Sequence, residues 1–211
     1  MDNYKIAILI TTFLRDALLY KTIQSIIENL PIDSMVLIAD QGYKSDDKTI
    51  AIDYYQSQIP LNYYQIPFDS GLSVARNFLV QKASEINIPY CLVMYNSIQF
   101  TGINDFEPLF CQLDRNTLIN FQIKETSPAA LKHIFIAKTD TLINLWDSEM
   151  KLYEYSLASL KYIKCGYRIS WNKNYNFKRV GGQTSEEYKI YRKRIKNYQT
   201  LSGQKVRGKC I

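Results

Sequence analysis

The sequence predicts an α/β fold built on a parallel sheet, and three features predict it. Short apolar runs of strand length recur through the first hundred residues, stretches of helical spacing separate them, and a strand–glycine–helix passage spans Pro67 to Asn77. Strands buried on both faces read as unbroken apolar runs, and strictly alternating strand and helix implies right-handed crossovers within one sheet.

Lys5 to Thr11 is the first such run. Leu14, Leu18, Leu19, Ile23, Ile26, Ile27 and Leu30 then recur at helical spacing until Pro31 stops them. Ser34 to Asp40 is the second strand, Lys44 to Gln58 a helix, Leu61 to Ile66 the third strand, Ser73 to Ile86 a helix and Tyr90 to Met94 the fourth strand. After Phe100 the pattern loosens: short strands are expected at Leu118–Phe121, His133–Ala137 and Arg168–Trp171, with a helix over Met150–Cys165. A last helix starts after Ser185, with Glu186 and Glu187 at its positive end and Tyr188, Tyr191, Ile195 and Tyr198 along one stripe. Residues 1–180 form the main domain in this reading, and 181–211 a basic helix and tail packed on it.

At 211 residues, with 46% apolar and 22% charged side chains, the chain supports one well-buried core. Residues 173–211 hold eleven Lys/Arg against two acids, leaving fifteen basic and eighteen acidic groups in 1–172. The net charge of +6 therefore belongs to the C-terminal end, which suits an anionic ligand. Cys91, Cys111, Cys165 and Cys210 lack metal-type spacing and read as reduced structural thiols. No apolar run reaches membrane-spanning length, so a cytoplasmic protein without an integral membrane segment is expected.

The passage Pro-Phe-Asp-Ser-Gly-Leu-Ser-Val-Ala-Arg-Asn carries a glycine, Gly71, at the turn from strand to helix. It sets Arg76 and Asn77 at the edge of the sheet, where anions and nucleotides bind. The alternative is a plain connection whose arginine points into water.

Thr11-Thr12-Phe13-Leu14-Arg15, Ile38-Ala39-Asp40 and the Gly-Leu-Ser-x-Ala-Arg-Asn string together resemble the inverting family 2 glycosyltransferases of GT-A fold. Within that group the resemblance is to the β-1,4-N-acetylgalactosaminyltransferase branch, over residues 5–171. It implies a Rossmann-like, mainly parallel central sheet with flanking helices and a small second sheet. It further implies that Thr11, Thr12, Arg15, Gly71 and Arg76 surround a nucleotide and that Asp40 accepts the N3 proton of uracil. The alternative for Asp40 is a turn residue bonding its own backbone, and for Arg76 a salt bridge to Asp69.

The family's fourth strand ends in an Asp-x-Asp element that holds Mg²⁺ or Mn²⁺ on the diphosphate; here Tyr95, Asn96 and Ser97 occupy that frame. Hard cations want carboxylates, so no metal site and no divalent-ion dependence are expected. The single histidine, His133, lies outside the place where the family adds a histidine ligand. Lys178, Arg179, Arg192, Lys193, Arg194 and Lys196 are the candidates to balance the diphosphate instead. Trp146-Asp147 followed by Glu154 matches the family's spacing to its general base, which makes Glu154 the base and Asp147 a second catalytic carboxylate. The alternative for Glu154 is a surface pair with Lys151. Trp146 and Tyr153 offer aromatic surface for an acceptor sugar, or else belong to the core.

The resemblance thus implies a hexosyltransferase-type enzyme that moves a sugar from a UDP-sugar, a UDP-hexose or N-acetylhexosamine, to a glycan or other hydroxyl acceptor. The alternative is an inactive relative that binds nucleotide-sugar, glycan or a protein. No nucleic-acid motif occurs. The compact chain points to a partner or second subunit, a homodimer included, for holding the acceptor.

Overall fold

The computed structural model describes residues 4–123, 134–149, 163–180, 186–191 and 193. Seven strands form the main sheet in the order β3-β2-β1-β4-β7-β6-β8. β1 (Ile6–Thr12), β2 (Ser34–Asp40), β3 (Leu61–Gln65) and β4 (Tyr90–Tyr95) run parallel. β7 (Ile134–Lys138) runs antiparallel to both β4 and β6 (Thr117–Phe121), and β8 (Arg168–Asn172) pairs parallel with β6 at the edge. A second, antiparallel pair joins β5 (Ile98–Phe100) to β9 (Phe177–Arg179).

The strands alternate their side chains between two apolar layers. Ile6, Ile8 and Ile10 pack with Leu19, Ile23 and Ile26 of α1 (Asp16–Ile27) and Ile52 of α2 (Asp46–Gln56). Ala7 and Leu9 point the other way, onto Ala75, Leu79 and Ala83 of α3 (Leu72–Glu85) and Leu142 of α5 (Thr139–Leu142). A short α4 (Glu107–Phe110) leads into β6. Burial of each large side chain contributes about 1.5–3 kcal/mol, and with β1 buried at every position the two layers anchor the sheet centre.

Element boundaries shift for local reasons. Leu14 has φ of 53°, so α1 begins two residues later than its apolar spacing suggests. Ser45 caps α2 by accepting from the Lys48 amide, which cuts the expected Lys44 start to Asp46. The expected C-terminal helix appears over residues 186–191, here α6. The expected helix over Met150–Cys165 falls mostly outside the described residues, as do His133, Ile195 and Tyr198.

The chain runs from β1 outward through β2 to β3 and then returns to place β4 on β1's other side. The order therefore reverses between β1 and β4, and at such a reversal the carboxyl ends of open α/β sheets leave a crevice.

Candidate functional site

Thr11 of β1 pairs with Tyr95 of β4, and Thr12 with Asp40 of β2, so three carboxyl ends meet at the crevice. A cavity there is lined by Thr11, Phe13, Arg15, Gln41, Gly71, Leu72, Tyr95, Asn96, Tyr188 and Tyr191. The Thr11 hydroxyl is buried in this wall and has no hydrogen-bond partner among the described residues.

Its frame is tied by side chains. Gln41 accepts from the Gly71 amide at 2.6 Å, linking the end of β2 to the turn before α3. Asn96 donates to the Thr12 hydroxyl at 2.8 Å, and its carbonyl accepts from Thr22 of α1. Thr12 therefore acts as a strut between β1 and β4 and is not part of the cavity lining.

Arg76 is 1% exposed, with its guanidinium carbon 5.2 Å from the Tyr95 ring centre and 5.6 Å from that of Trp146. Both rings are within cation–π range of the guanidinium, which favours its buried position. Neither water nor the expected alternative, a plain surface arginine, fits this burial. Arg76 thus stands beside Tyr95, the first residue of the turn that the sequence reading compared with an acidic element.

Asp40 departs from expectation. It is fully buried; one carboxylate oxygen accepts from the Gly42 amide at 2.6 Å and the other from Lys48 at 2.8 Å and Tyr63 at 2.6 Å. With three donors already on it, the carboxylate faces α2 and β3, where it organises the loop after β2 and does not line the cavity. The Asp-Gln-Gly turn bond raised as the alternative is present, and Lys48 and Tyr63 make the site more than a turn. Lys48, whose side chain is 4% exposed, also meets Asp16 at 3.0 Å. Burial alone would lower the Lys48 pKa, but the Asp40 and Asp16 carboxylates outweigh it and hold the ammonium above its ordinary value. Burial raises the Asp16 carboxyl, partly offset by Lys48. Burial, reinforced by the bond to Asp40, likewise pushes the Tyr63 phenol well up.

Trp146 is corrected too. It is 2% exposed, packs on Phe135 and backs Arg76, so it belongs to the core and offers no face to an acceptor sugar. Its carbonyl accepts from Asn77 at 2.7 Å. Asp147 is exposed beside it. Glu154, Tyr153, Arg192, Arg194 and Lys196 lie outside the described residues.

Lys178 and Arg179 are exposed on β9, and the Val180 amide donates to the Ser97 carbonyl at 2.8 Å. That bond brings the basic strand alongside the Tyr95-Asn96-Ser97 turn. Lys193 is exposed, with 5.2 Å separating the Arg15 guanidinium carbon from the Tyr188 ring centre nearby in α6. Gln41, Lys48, Tyr63 and Phe13 were also missed: polar and aromatic residues common in any loop, they matter only because pairing of distant strands gathers them.

The Tyr95–Ser97 turn offers neutral oxygens only, where a hard divalent ion favours carboxylates. No group of three or more His, Cys, Asp or Glu fit to hold a metal occurs among the described residues.

Residues 7–94 match the family model described as Glycosyl transferase family 2. The match ends with β4 and covers under half of the 211 residues. Solved structures extend the fold likeness over most of the chain. TarS of S. aureus in complex with UDP-GlcNAc superposes with a TM-score of 0.66 at 15% identity, covering 86% of this chain and 61% of that one. GalNAc-T7 with UDP, GalNAc and Mn²⁺ gives 0.68 at 13% identity, covering 85% and 43%. The mannosyltransferase PcManGT from Pyrobaculum calidifontis, with GDP-Man and Mn²⁺, gives 0.68 at 12% identity, covering 89% and 59%. The fold is GT-A, and the chain spans less than two thirds of each of these solved chains. No curated protein matches the sequence.

Proposed function

We propose that the chain is an inverting glycosyltransferase that moves a sugar from a UDP-sugar, a UDP-hexose or N-acetylhexosamine, to a hydroxyl acceptor without a carboxylate-held divalent ion. The observation that carries this reading is the buried Arg76 guanidinium within cation–π range of Tyr95 and Trp146 at the switch point of a GT-A sheet. Thr11, Arg15 and Gly71, which line the cavity, hold the nucleotide and its diphosphate, and Arg76, buried outside that lining beside Tyr95, adds its positive charge without touching the ligand. Lys178 and Arg179 add positive charge from β9, with Arg192, Lys193, Arg194 and Lys196 as further candidates from the tail.

In the reaction an acceptor oxygen attacks the anomeric carbon from the face opposite the nucleotide. The carbon–oxygen bond to the β-phosphate breaks as the new one forms, the electron pair leaves with UDP, and the acceptor's proton passes to Glu154. Fixed cations in a water-poor cleft stabilise the charge that develops on the departing diphosphate. The second reading, a GT-A chain that binds the donor without turnover, is favoured by the replacement of acids at Tyr95, Asn96 and Ser97.

Calorimetry of UDP binding in excess EDTA and in excess Mn²⁺ tests the proposal. Affinities within about threefold of each other, with a loss of tenfold or more in Arg76→Gln, are expected, whereas strict Mn²⁺ dependence refutes the metal-independent reading. Glu154→Gln should bind UDP as the wild type does and lose transfer, and unchanged turnover rules Glu154 out as the base.

A further inference from the structure

The cavity at the switch point is narrowed on one side by Tyr188 and Tyr191 of α6. Its volume is about 60 Å³, against roughly 300–1,000 Å³ for sites that take small molecules, so it is too small to enclose a nucleoside as it stands. Most of its walls come from strand ends, the loop after β2 and the start of α3, and cannot retreat without breaking the sheet or the Gln41–Gly71 tie. Phe13 and Arg15, from the stretch after β1, and Tyr188 and Tyr191 of α6 complete the lining.

Among the described residues, three contacts join the α6 wall to the crevice rim. The Tyr191 ring meets the Phe13 ring edge-on, with centroids 4.6 Å apart and planes at 65°. The Tyr191 hydroxyl donates to the Asp69 carboxylate in the turn just before Gly71. Arg15 lies 5.2 Å from the centre of the Tyr188 ring. Each contact takes a group from the rim of the crevice, an aromatic face, a carboxylate or a guanidinium, and engages it with α6. Meanwhile the Thr11 hydroxyl behind them is left without a partner among the described residues.

We propose that α6 is an autoinhibitory plug: Tyr191 takes up the space beside Phe13 that a planar base needs, and nucleotide binding requires its withdrawal. The inference rests on the reading of this cavity as a UDP-sugar site. A residue that merely walled the site would leave room for the ligand, but Tyr191 fills that room and is fastened at its far end by Asp69. Withdrawal of α6 releases Phe13, Arg15 and Asp69 together, so the site opens as a unit.

Calorimetric titration of the full chain with UDP tests this, using the wild type, Tyr191→Ala and Tyr191→Phe, each checked for an unchanged melting profile of its circular dichroism. Tyr191→Ala is expected to bind at least tenfold tighter than the wild type, about 1.4 kcal/mol. Tyr191→Phe, which keeps the ring and loses the bond to Asp69, should fall between. Equal affinities in all three overturn the plug and leave the nucleotide site intact. Weaker binding by Tyr191→Ala also overturns it, since Tyr191 would then be a wall that grips the ligand. Failure of every folded variant to bind UDP removes the nucleotide reading and the plug with it.

Discussion

Asp40 and Lys48 show at the scale of single residues how a predicted ligand contact becomes a support. Lys48 is shared by two carboxylates and the Tyr43 carbonyl, and Asp40 has no exposed surface. Removing one partner leaves an uncompensated buried charge, so Lys48→Met is expected to cost about 3–5 kcal/mol in urea unfolding. Asp16→Asn, at a site 37% exposed, should cost about 1 kcal/mol or less. The same cluster sets an alkaline limit. The folded Lys48 pKa is raised, so its contribution is complete below the unfolded value of about 10.4 and is lost as pH climbs through the folded value. Tyr63 stays protonated in the fold while the unfolded phenol ionises near about pH 10, which again favours the unfolded chain. Melting temperature should therefore fall above about pH 10, and less steeply in Tyr63→Phe. A flat profile across that window contradicts the assignment.

At the scale of elements, the start of α3 decides the site. Gly71 sits at φ 96°, ψ 150°, where a Cβ is strained, and its amide is turned onto Gln41. This conformation aims the first turn of α3 at the crevice and brings Arg76 under Tyr95. Gly71→Ala is expected to cost about 1–3 kcal/mol and to weaken UDP binding, checked by urea unfolding and calorimetry together. A variant of native stability would mean that the turn tolerates a side chain. The β5–β9 pair is the counterpart on the other side of β4, and it carries Lys178 and Arg179 next to the turn that lacks acids.

For the whole molecule, charge and topology act together. Of the positive charge after residue 172, Lys178 and Arg179 are positioned by β9 beside β5, where both are exposed. Exposed cations are screened by salt, so UDP affinity is expected to fall severalfold between about 50 and about 500 mM NaCl. The fall should be smaller in Lys178→Ala/Arg179→Ala. An identical salt response in that double variant would remove β9 from the diphosphate contacts.

Local pattern alone determined the alternation of strands and helices through β4 and the glycine turn at Pro67–Asn77, because burial periodicity and backbone freedom are properties of neighbouring residues. It also set Thr11, Gly71 and Arg76 at the carboxyl edge, since each closes a strand or opens a helix there. Only the tertiary structure decided that Asp40 turns to Lys48, that Trp146 is core, that Arg76 packs near two rings, and that Tyr191 lines the crevice. Each of those outcomes depends on which of several reachable partners a side chain meets, and strands and helices distant in sequence supply the partners.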